Sequence, residues 1–387
     1  MAKLYHPGID HATYERKVAA MLRLSPDLPD LVDGASRKVQ IAWPTSLLRD
    51  RHGRFVGFLM PAVDVQATSE LELILQEKQA RAAQLPTGLG PKVTLAANLA
   101  AVVAALHARH HYIVDLKPVN LRFYRQSLHM AMLDCDGFSI QGVGERFPAP
   151  QFTPDYLAPE FQRDGITAEG EQAQDRFALA VVVFQLLNFG IHPFTGRPIA
   201  ASVPTDIPSR IAGRWYAYGV RANTNIAPNP GSGHARMPAE LRTMFDRAFE
   251  SRGFGRPAAH EWQAMLESFA LRSTGRMVVC SRDAVHQHYA GMDCAHCDRV
   301  QLLRKARAAQ PARSTTTTTA HTRRPTARTT TRPTARPRAQ YQPRTHAPIP
   351  TPNWPPGHVP APRAPRPPTW GPSPPNTLFG WFVKACE

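Results

Sequence analysis

The feature that most narrows what this chain can fold into is the order and spacing of a few polar residues near its middle. Asp115-Leu-Lys117-Pro-Val-Asn120 sets a carboxylate, an amine and an amide within six residues. Leu133-Asp134-Cys-Asp136-Gly137-Phe138 brings a further carboxylate 14 residues after Asn120, and Thr153-Pro-Asp-Tyr-Leu-Ala-Pro-Glu160 follows. One loop Asp or Asn is ordinarily a turn residue or a cap. Turn chemistry alone does not require the whole string at this spacing.

These residue types suit phosphoryl transfer. That reaction asks little covalent chemistry of a protein; it needs a positioned hydroxyl, neutralised phosphate charge and divalent metal ions. Asp115 suits the group that orients an attacking hydroxyl and accepts its proton, and Lys117 the group that steadies a γ-phosphate. Asn120 suits one Mg²⁺ and Asp134 the other. Asp136 is the alternative metal ligand, although the spacing from Asn120 favours Asp134.

The same string resembles the C-terminal lobe of protein kinases. The chain is similar to a divergent branch of bacterial Ser/Thr kinases associated with PP2C-type phosphatases and von Willebrand-type proteins. Tyr156-Leu-Ala-Pro-Glu160 resembles the end of an activation segment. Asp175-Arg-Phe-Ala-Leu-Ala-Val-Val-Val-Phe resembles the buried helix whose first Asp braces the catalytic loop, and His192-Pro-Phe194 the end of that element. Arg256-Pro-Ala-Ala-His-Glu-Trp262 resembles the late arginine segment, which implies an ion pair of Arg256 with Glu160. The resemblance implies an α+β, two-lobed kinase-like fold that uses ATP and Mg²⁺ to phosphorylate a protein substrate. Ala2-Lys3-Leu4-Tyr5 resembles the strand carrying the ATP lysine. It implies that Lys3 meets the α/β-phosphates, that Glu15 on the next helix is its ion-pair partner, and that Met60 to Val63 meet adenine through backbone groups.

Three departures stand out. Two strands and a glycine-rich loop normally precede the lysine strand, whereas two residues precede Lys3 here. The expectation is an abbreviated N-lobe, through either an upstream start or a truncation, and weakened ATP binding. Ile113 and Val114 stand where many kinases have His-Arg, so docking of a phosphorylated activation loop is not expected. Asp134-Cys-Asp136-Gly-Phe replaces Asp-Phe-Gly. A pseudokinase scaffold that binds partners without efficient transfer is therefore the alternative function.

Hydrophobic spacing places the motifs on elements. Ala2 to Tyr5 suits a strand, and Asp10 a cap for a helix through Tyr14, Val18, Met21 and Leu22. Alternation at Val39, Ile41 and Trp43 predicts a strand, Arg49 to Gly53 a turn, and Phe55 to Met60 a second strand. Residues 64–110 read as helical, with Leu95, Leu99, Val102 and Leu106 on one packed face and Pro91 near a helix start. Residues 175–187 predict a helix buried on all sides, and 236–272 two more helices. The expected division is a partial N-lobe over 1–63, a C-lobe over 64–272, a zinc-type segment over 273–307 and a disordered basic tail over 308–387.

Cys280-x5-His286-x-His288-x5-Cys294-x2-Cys297 has the ligand types of a structural Zn²⁺ site. Cys294 and Cys297 would form one pair of ligands, and Cys280 with His286 or His288 the other. This use of cysteine suits a reducing compartment better than a disulfide scaffold. The chain has no signal-peptide pattern at its start, and its longest apolar run, Phe177 to Leu187, is too short to span a bilayer. The expectation is a cytoplasmic protein without a membrane partner. Formal net charge is +16, but 14 Lys and Arg against one acidic residue lie from Gln301 onward, where 18 of the 38 prolines also fall. The folded part is nearly balanced, and overall basicity would misplace any nucleic-acid reading. The Arg/Pro/Thr tail suits weak polyanion contact or a solvated linker. Leu378 to Val383 suits a short docking peptide.

Overall fold

A computed structural model of the protein describes residues 1–33, 36–220 and 223–309. The expected tail lies outside these residues apart from its first two, and so do Leu378 to Val383 and Cys386. The architecture is mixed, with small sheets packed on a helical body.

The chain opens with β1 (Ala2–Leu4) and α1 (His11–Arg23). Asp10 caps α1 as its sequence position predicts, its carboxylate accepting from the Thr13 N–H at 3.2 Å. A hairpin of β2 (Leu31–Asp33) and β3 (Ser36–Lys38) follows, then β4 (Ser46–Arg49) and β5 (Phe55–Leu59). The expected turn between the last two is held by Asp50, which accepts from the His52 and Arg54 amides. Strands β1, β5 and β4 form one antiparallel sheet in that order. The strand expected over Val39 to Trp43 shrinks to a single bridge between Ile41 and Met132. Ile41, Ala42 and Trp43 are all buried, so the apolar alternation does not mark an open face, and Pro44 has no N–H to extend a ladder.

Next come β6 (Thr68–Glu70), α2 (Glu72–Leu75), α3 (Glu77–Ala82) and α4 (Leu89–Ala108). The continuous helical stretch expected from 64 to 110 is thus broken. Asp64 accepts from the Gln66 and Ala67 amides, a local turn that competes with helix, and Pro86 and Gly88 separate α3 from α4. β7 (Arg122–Tyr124) pairs with β6, and the short strands β8 (Ile140–Gln141) and β9 (Arg146–Phe147) pair with each other. The helical body is completed by α5 (Glu171–Leu187), β10 (Gly196–Pro198), α6 (Ile207–Ala212), β11 (Ile226–Pro228), α7 (Ala239–Glu250) and α8 (Ala259–Ala270). The last elements are β12 (Met277–Cys280), β13 (Asp283–Tyr289) and α9 (Ala295–Ala308).

The main core forms where α4 crosses α8 and α5, and α7 packs on α5. Leu95, Leu99, Val102 and Leu106 are fully buried, as their spacing predicts, and α5 is buried around nearly its whole circumference. α4 is long and apolar enough to cross a membrane, yet most of it is buried inside the protein. A second apolar cluster, including Val18, Phe55, Phe58, Met60 and Val63, sits under the three-stranded sheet. Arg256 is completely buried and grips Glu160 through both terminal nitrogens at 2.5 and 2.7 Å. Such bidentate geometry is what makes a buried ion pair worth its desolvation.

β1 and β5 approach so closely that Gly57 is required: a Cβ there would stand 1.9 Å from the Lys3 carbonyl oxygen. Gly57→Ala is expected to push β1 away, costing about 1–3 kcal/mol as other overpacking changes do. Urea unfolding together with hydrogen exchange of the β1 amides measures this; unchanged β1 protection contradicts it.

Candidate active site

The loop between α4 and β7 carries Asp115, Lys117 and Asn120. Asp175, at the start of α5, sets its shape. This wholly buried carboxylate accepts the backbone N–H groups of Ile113 and Val114, each at 2.7 Å, and pairs with His107 Nε2 at 3.1 Å. Val114 adopts φ +66°, a left-handed conformation that costs a β-branched residue energy and needs outside support.

Beyond that strained residue the loop side chains converge. Asp115 is 8% exposed, and Lys117 Nζ lies 2.9 Å from its Oδ2. Asn120 donates through Nδ2 to the Asp115 Oδ2 and carbonyl oxygen, both at 3.1 Å. Thr153 completes the cluster: its hydroxyl donates to Asp115 Oδ1 at 2.6 Å and accepts from Lys117 Nζ at 2.7 Å. No role for Thr153 follows from the sequence alone. It lies 38 residues from Asp115, and only its neighbourhood in the Thr-Pro-Asp-Tyr string marks it.

A second cluster gathers at β1. Lys3 Nζ donates to Asp134 Oδ1 at 2.9 Å and to Asp136 Oδ1 at 2.7 Å, and the Tyr5 hydroxyl donates to Asp136 Oδ2 at 2.9 Å. Burial acts to lower the Lys3 pKa, but Asp136 and then Asp134 outweigh it and hold the ammonium above the ordinary lysine range. Burial, then Asp136, pushes the Tyr5 phenol up. Asp134 sits at φ +52° ahead of a single 3-10 turn over Cys135–Gly137, and the buried Cys135 thiol donates to the Ala42 carbonyl at 3.1 Å.

Two expected site residues are placed differently. Glu15 does not reach Lys3; it pairs with Arg49. Residues 15 and 17 stand about 200° apart around a helix, and Lys17, Val18 and Met21 take the buried face of α1. Met60 has both backbone polar atoms engaged, donating to the Met1 carbonyl at 2.9 Å and accepting from the Met1 amine at 2.8 Å. The side chains of Met60 and Val63 are buried under the sheet.

The metal-type cluster lies elsewhere, on β12, β13 and α9. Cys280, His286, Cys294 and Cys297 bring one ligand atom each within 4.8 Å of one another. His288 is outside the group, its Nδ1 lying 3.0 Å from the Tyr289 carbonyl oxygen.

The clustered Asp, Lys, Asn and Thr side chains sit on a mixed helix-and-sheet frame, and similarity to curated proteins supports a kinase-like protein. Among curated proteins the chain is similar to Protein kinase YegI of Escherichia coli strain K12, with 28% identity over 265 residues covering 66% of this chain and 40% of that protein. Protein kinase YegI of Escherichia coli O157:H7 is 27% identical over a span of the same length. The chain therefore spans about two-fifths of the length of the curated relatives it matches. No family model matches the chain.

Lys17 offers a test of the charge arrangement. Burial pushes its ammonium down to about 8, partly offset by Asp136, and burial does the same to Lys92. Between about pH 8 and the ordinary lysine pKa the unfolded chain binds more protons at this group than the folded one, so the Lys17 contribution to stability rises with pH across that window, against the opposite contribution of buried tyrosines such as Tyr5. Lys17→Met is expected to remove this contribution, so that the stability of the native chain relative to the variant grows with pH across the window. Denaturant titrations from pH 7.5 to 10.5 decide it; an unchanged pH slope contradicts the burial of Lys17.

Proposed function

We propose that the protein is an ATP-dependent Ser/Thr protein kinase that transfers the γ-phosphate of ATP to a protein hydroxyl. The observation that carries this reading is the cluster in which Asp115 is bonded at once by Lys117, Asn120 and Thr153. Asp115 orients the substrate hydroxyl and takes its proton as the new O–P bond forms and the bond from the γ-phosphorus to the leaving ADP oxygen breaks. Lys117, typical of Ser/Thr kinases in the resemblance, is fixed beside that path by Thr153. Lys3 supplies positive charge to the α/β-phosphates.

Mg²⁺ bound with ATP would neutralise the phosphate charge. Asn120 and Asp134 are the residues that would hold it. The Asn120 nitrogen is spent on Asp115, which leaves its side-chain oxygen for a cation, and the Asp134 side chain is 38% exposed. The kinase-like frame in this reading is two-lobed, with residues 1–63 in the first lobe and 64–272 in the second. The reduced cysteines suit the cytoplasm. A PP2C-type phosphatase and a von Willebrand-type protein are the partners implied by the resemblance.

A structural Zn²⁺ belongs to the same proposal, carried by a different observation. Cys280 Sγ lies 3.6 Å from Cys297 Sγ, and Cys297 Sγ lies 3.6 Å from His286 Nδ1. Tetrahedral zinc with ordinary bond lengths separates its ligand atoms by about 3.8 Å for two sulfurs and about 3.5 Å for sulfur and nitrogen. His286 Nε2 faces Asp283 at 3.5 Å, the outer carboxylate that commonly fixes a ligating imidazole. The purified chain is expected to hold a single equivalent of zinc. Co²⁺ exchanged into it should show thiolate charge-transfer absorption that Cys297→Ser weakens and His288→Ala spares. A metal-free chain with three freely titrating thiols refutes the site.

A second reading, a kinase-like scaffold, draws on Met60: its N–H is taken by the Met1 carbonyl, so adenine finds no donor there until that bond opens. Transfer of labelled phosphate from Mg–ATP to a generic protein or to the chain itself decides between the two. Asp115→Ala is expected to cut the rate by about 10²–10⁴-fold, the usual share of a general base, with label on serine or threonine. A folded chain with neither transfer nor nucleotide binding leaves the scaffold.

A further inference from the structure

We propose that Asp136 is the carboxylate that anchors Lys3, with Tyr5 as its positioning residue, and that Asp134 is thereby left as the metal-facing carboxylate. This rests on the kinase reading and resolves a choice that spacing from Asn120 left open.

α1 turns a cation rather than a carboxylate inward. Its buried face carries Lys17, and Glu15 lies on the far side with Arg49. Lys3 therefore gains no counter-charge from the helix and must find one elsewhere. Two carboxylates reach it, and they are not equivalent. The Asp136 side chain is 6% exposed and that of Asp134 is 38% exposed. Both Asp136 oxygens are occupied, Oδ1 by Lys3 and Oδ2 by Tyr5. A buried carboxylate that gives up such a partner is left uncompensated at a large cost. Asp136 cannot turn to a metal without that loss, whereas Asp134 bonds Lys3 through Oδ1 alone.

Tyr5 is suited to fix this arrangement. Lys3 and Tyr5 are two residues apart in extended chain, so their side chains share a face and close on Asp136 from two sides. The Tyr5 ring packs against Tyr14, Phe55 and Phe58 at centroid distances of 4.7, 5.8 and 6.0 Å, which limits its movement. The peptide between the carboxylates is pinned through Cys135 to Ala42. Asp134 and Asp136 are thus held apart in role by local packing as well as by charge.

The test uses the full chain with Asp134→Asn, Asp136→Asn and Tyr5→Phe. Calorimetric ATP binding is measured with and without Mg²⁺, beside KM and kcat for transfer. Asp134→Asn is expected to erase most of the tightening of ATP binding by Mg²⁺. Asp136→Asn is expected to weaken ATP binding about tenfold or more, equally with and without Mg²⁺. Tyr5→Phe should raise KM for ATP several-fold, with Mg²⁺ dependence intact and kcat little changed. Circular dichroism checks folding, and if Asp136→Asn does not fold, the conservative Tyr5→Phe carries the decision. Loss of Mg²⁺ dependence in Asp136→Asn or Tyr5→Phe, or nucleotide binding untouched by Tyr5→Phe, overturns the assignment alone. A folded wild-type chain that binds no nucleotide overturns the kinase reading with it.

Discussion

The hydrogen bonds from the Ile113 and Val114 amides to the Asp175 carboxylate hold the rest of the site in register. A buried carboxylate needs donors on its oxygens, and a left-handed valine needs a reason to stay. Each demand meets the other, with His107 supplying a further contact. Gln174, the residue before, does related work on the second segment. Its Oε1 accepts from the Ala158 N–H at 2.8 Å and its Nε2 donates to the Tyr156 carbonyl at 2.8 Å. Two neighbouring residues at the start of a buried helix thus fix both the Asp115 loop and the segment that delivers Thr153. That is how residues 38 positions apart meet within hydrogen-bonding distance.

The charges at β1 follow a different logic. Lys3 and Lys17 bring two ammonium groups toward Asp136, whose charge outweighs burial at Lys3 but not at Lys17. Glu171 is a further buried carboxylate nearby, pushed up to about 7 by burial although Ser139 and Arg146 bond it. A raised carboxylate favours the folded state most at low pH and loses that advantage as pH climbs through about 7, the opposite trend from Lys17. The region is therefore balanced by groups of opposite titration rather than by one dominant pair.

How much of this was legible in the sequence depends on how local the cause was. The Asp10 cap, the packed faces of α4 and α5, and the turn at Asp50 follow from neighbours within a few positions, and the sequence reading found them. The Glu160–Arg256 pair and the bracing role of Asp175 are long-range, and they were legible only through resemblance. What was missed lacked either signal. Lys17 reads as an ordinary charged helix residue until helical phase puts it on the buried face in place of Glu15. The break at residues 64–88 was hidden because Asp64 and β6 owe their conformation to local side-chain bonding and to β7, neither of which disturbs the hydrophobic pattern. His286 and His288 share a strand face by parity, so spacing could not choose between them; the hairpin's position against α9 does.

One element relates the loop and the Cys/His cluster. α4 rises for 20 residues, about 30 Å. Its last turn carries His107, bonded to Asp175, and its first turn carries Gly90, whose N–H donates to Gln287 Oε1 at 2.6 Å. Gln287 is the neighbour of His286 on β13, and a Cβ at Gly90 would come within 2.5 Å of its Oε1, so a larger residue there would displace the Gln287 amide and this bond. Arg299 on α9 adds a bond to the Gly231 carbonyl at 2.7 Å, and Arg236 reaches both Asp293 and Asp298. A small hairpin and helix have little apolar core of their own, and Val278, Val279 and Val285 remain partly exposed. Seating on α4 supplies part of their order, which makes the start of that helix, rather than the candidate active site, the place where the Cys/His cluster bears on the fold.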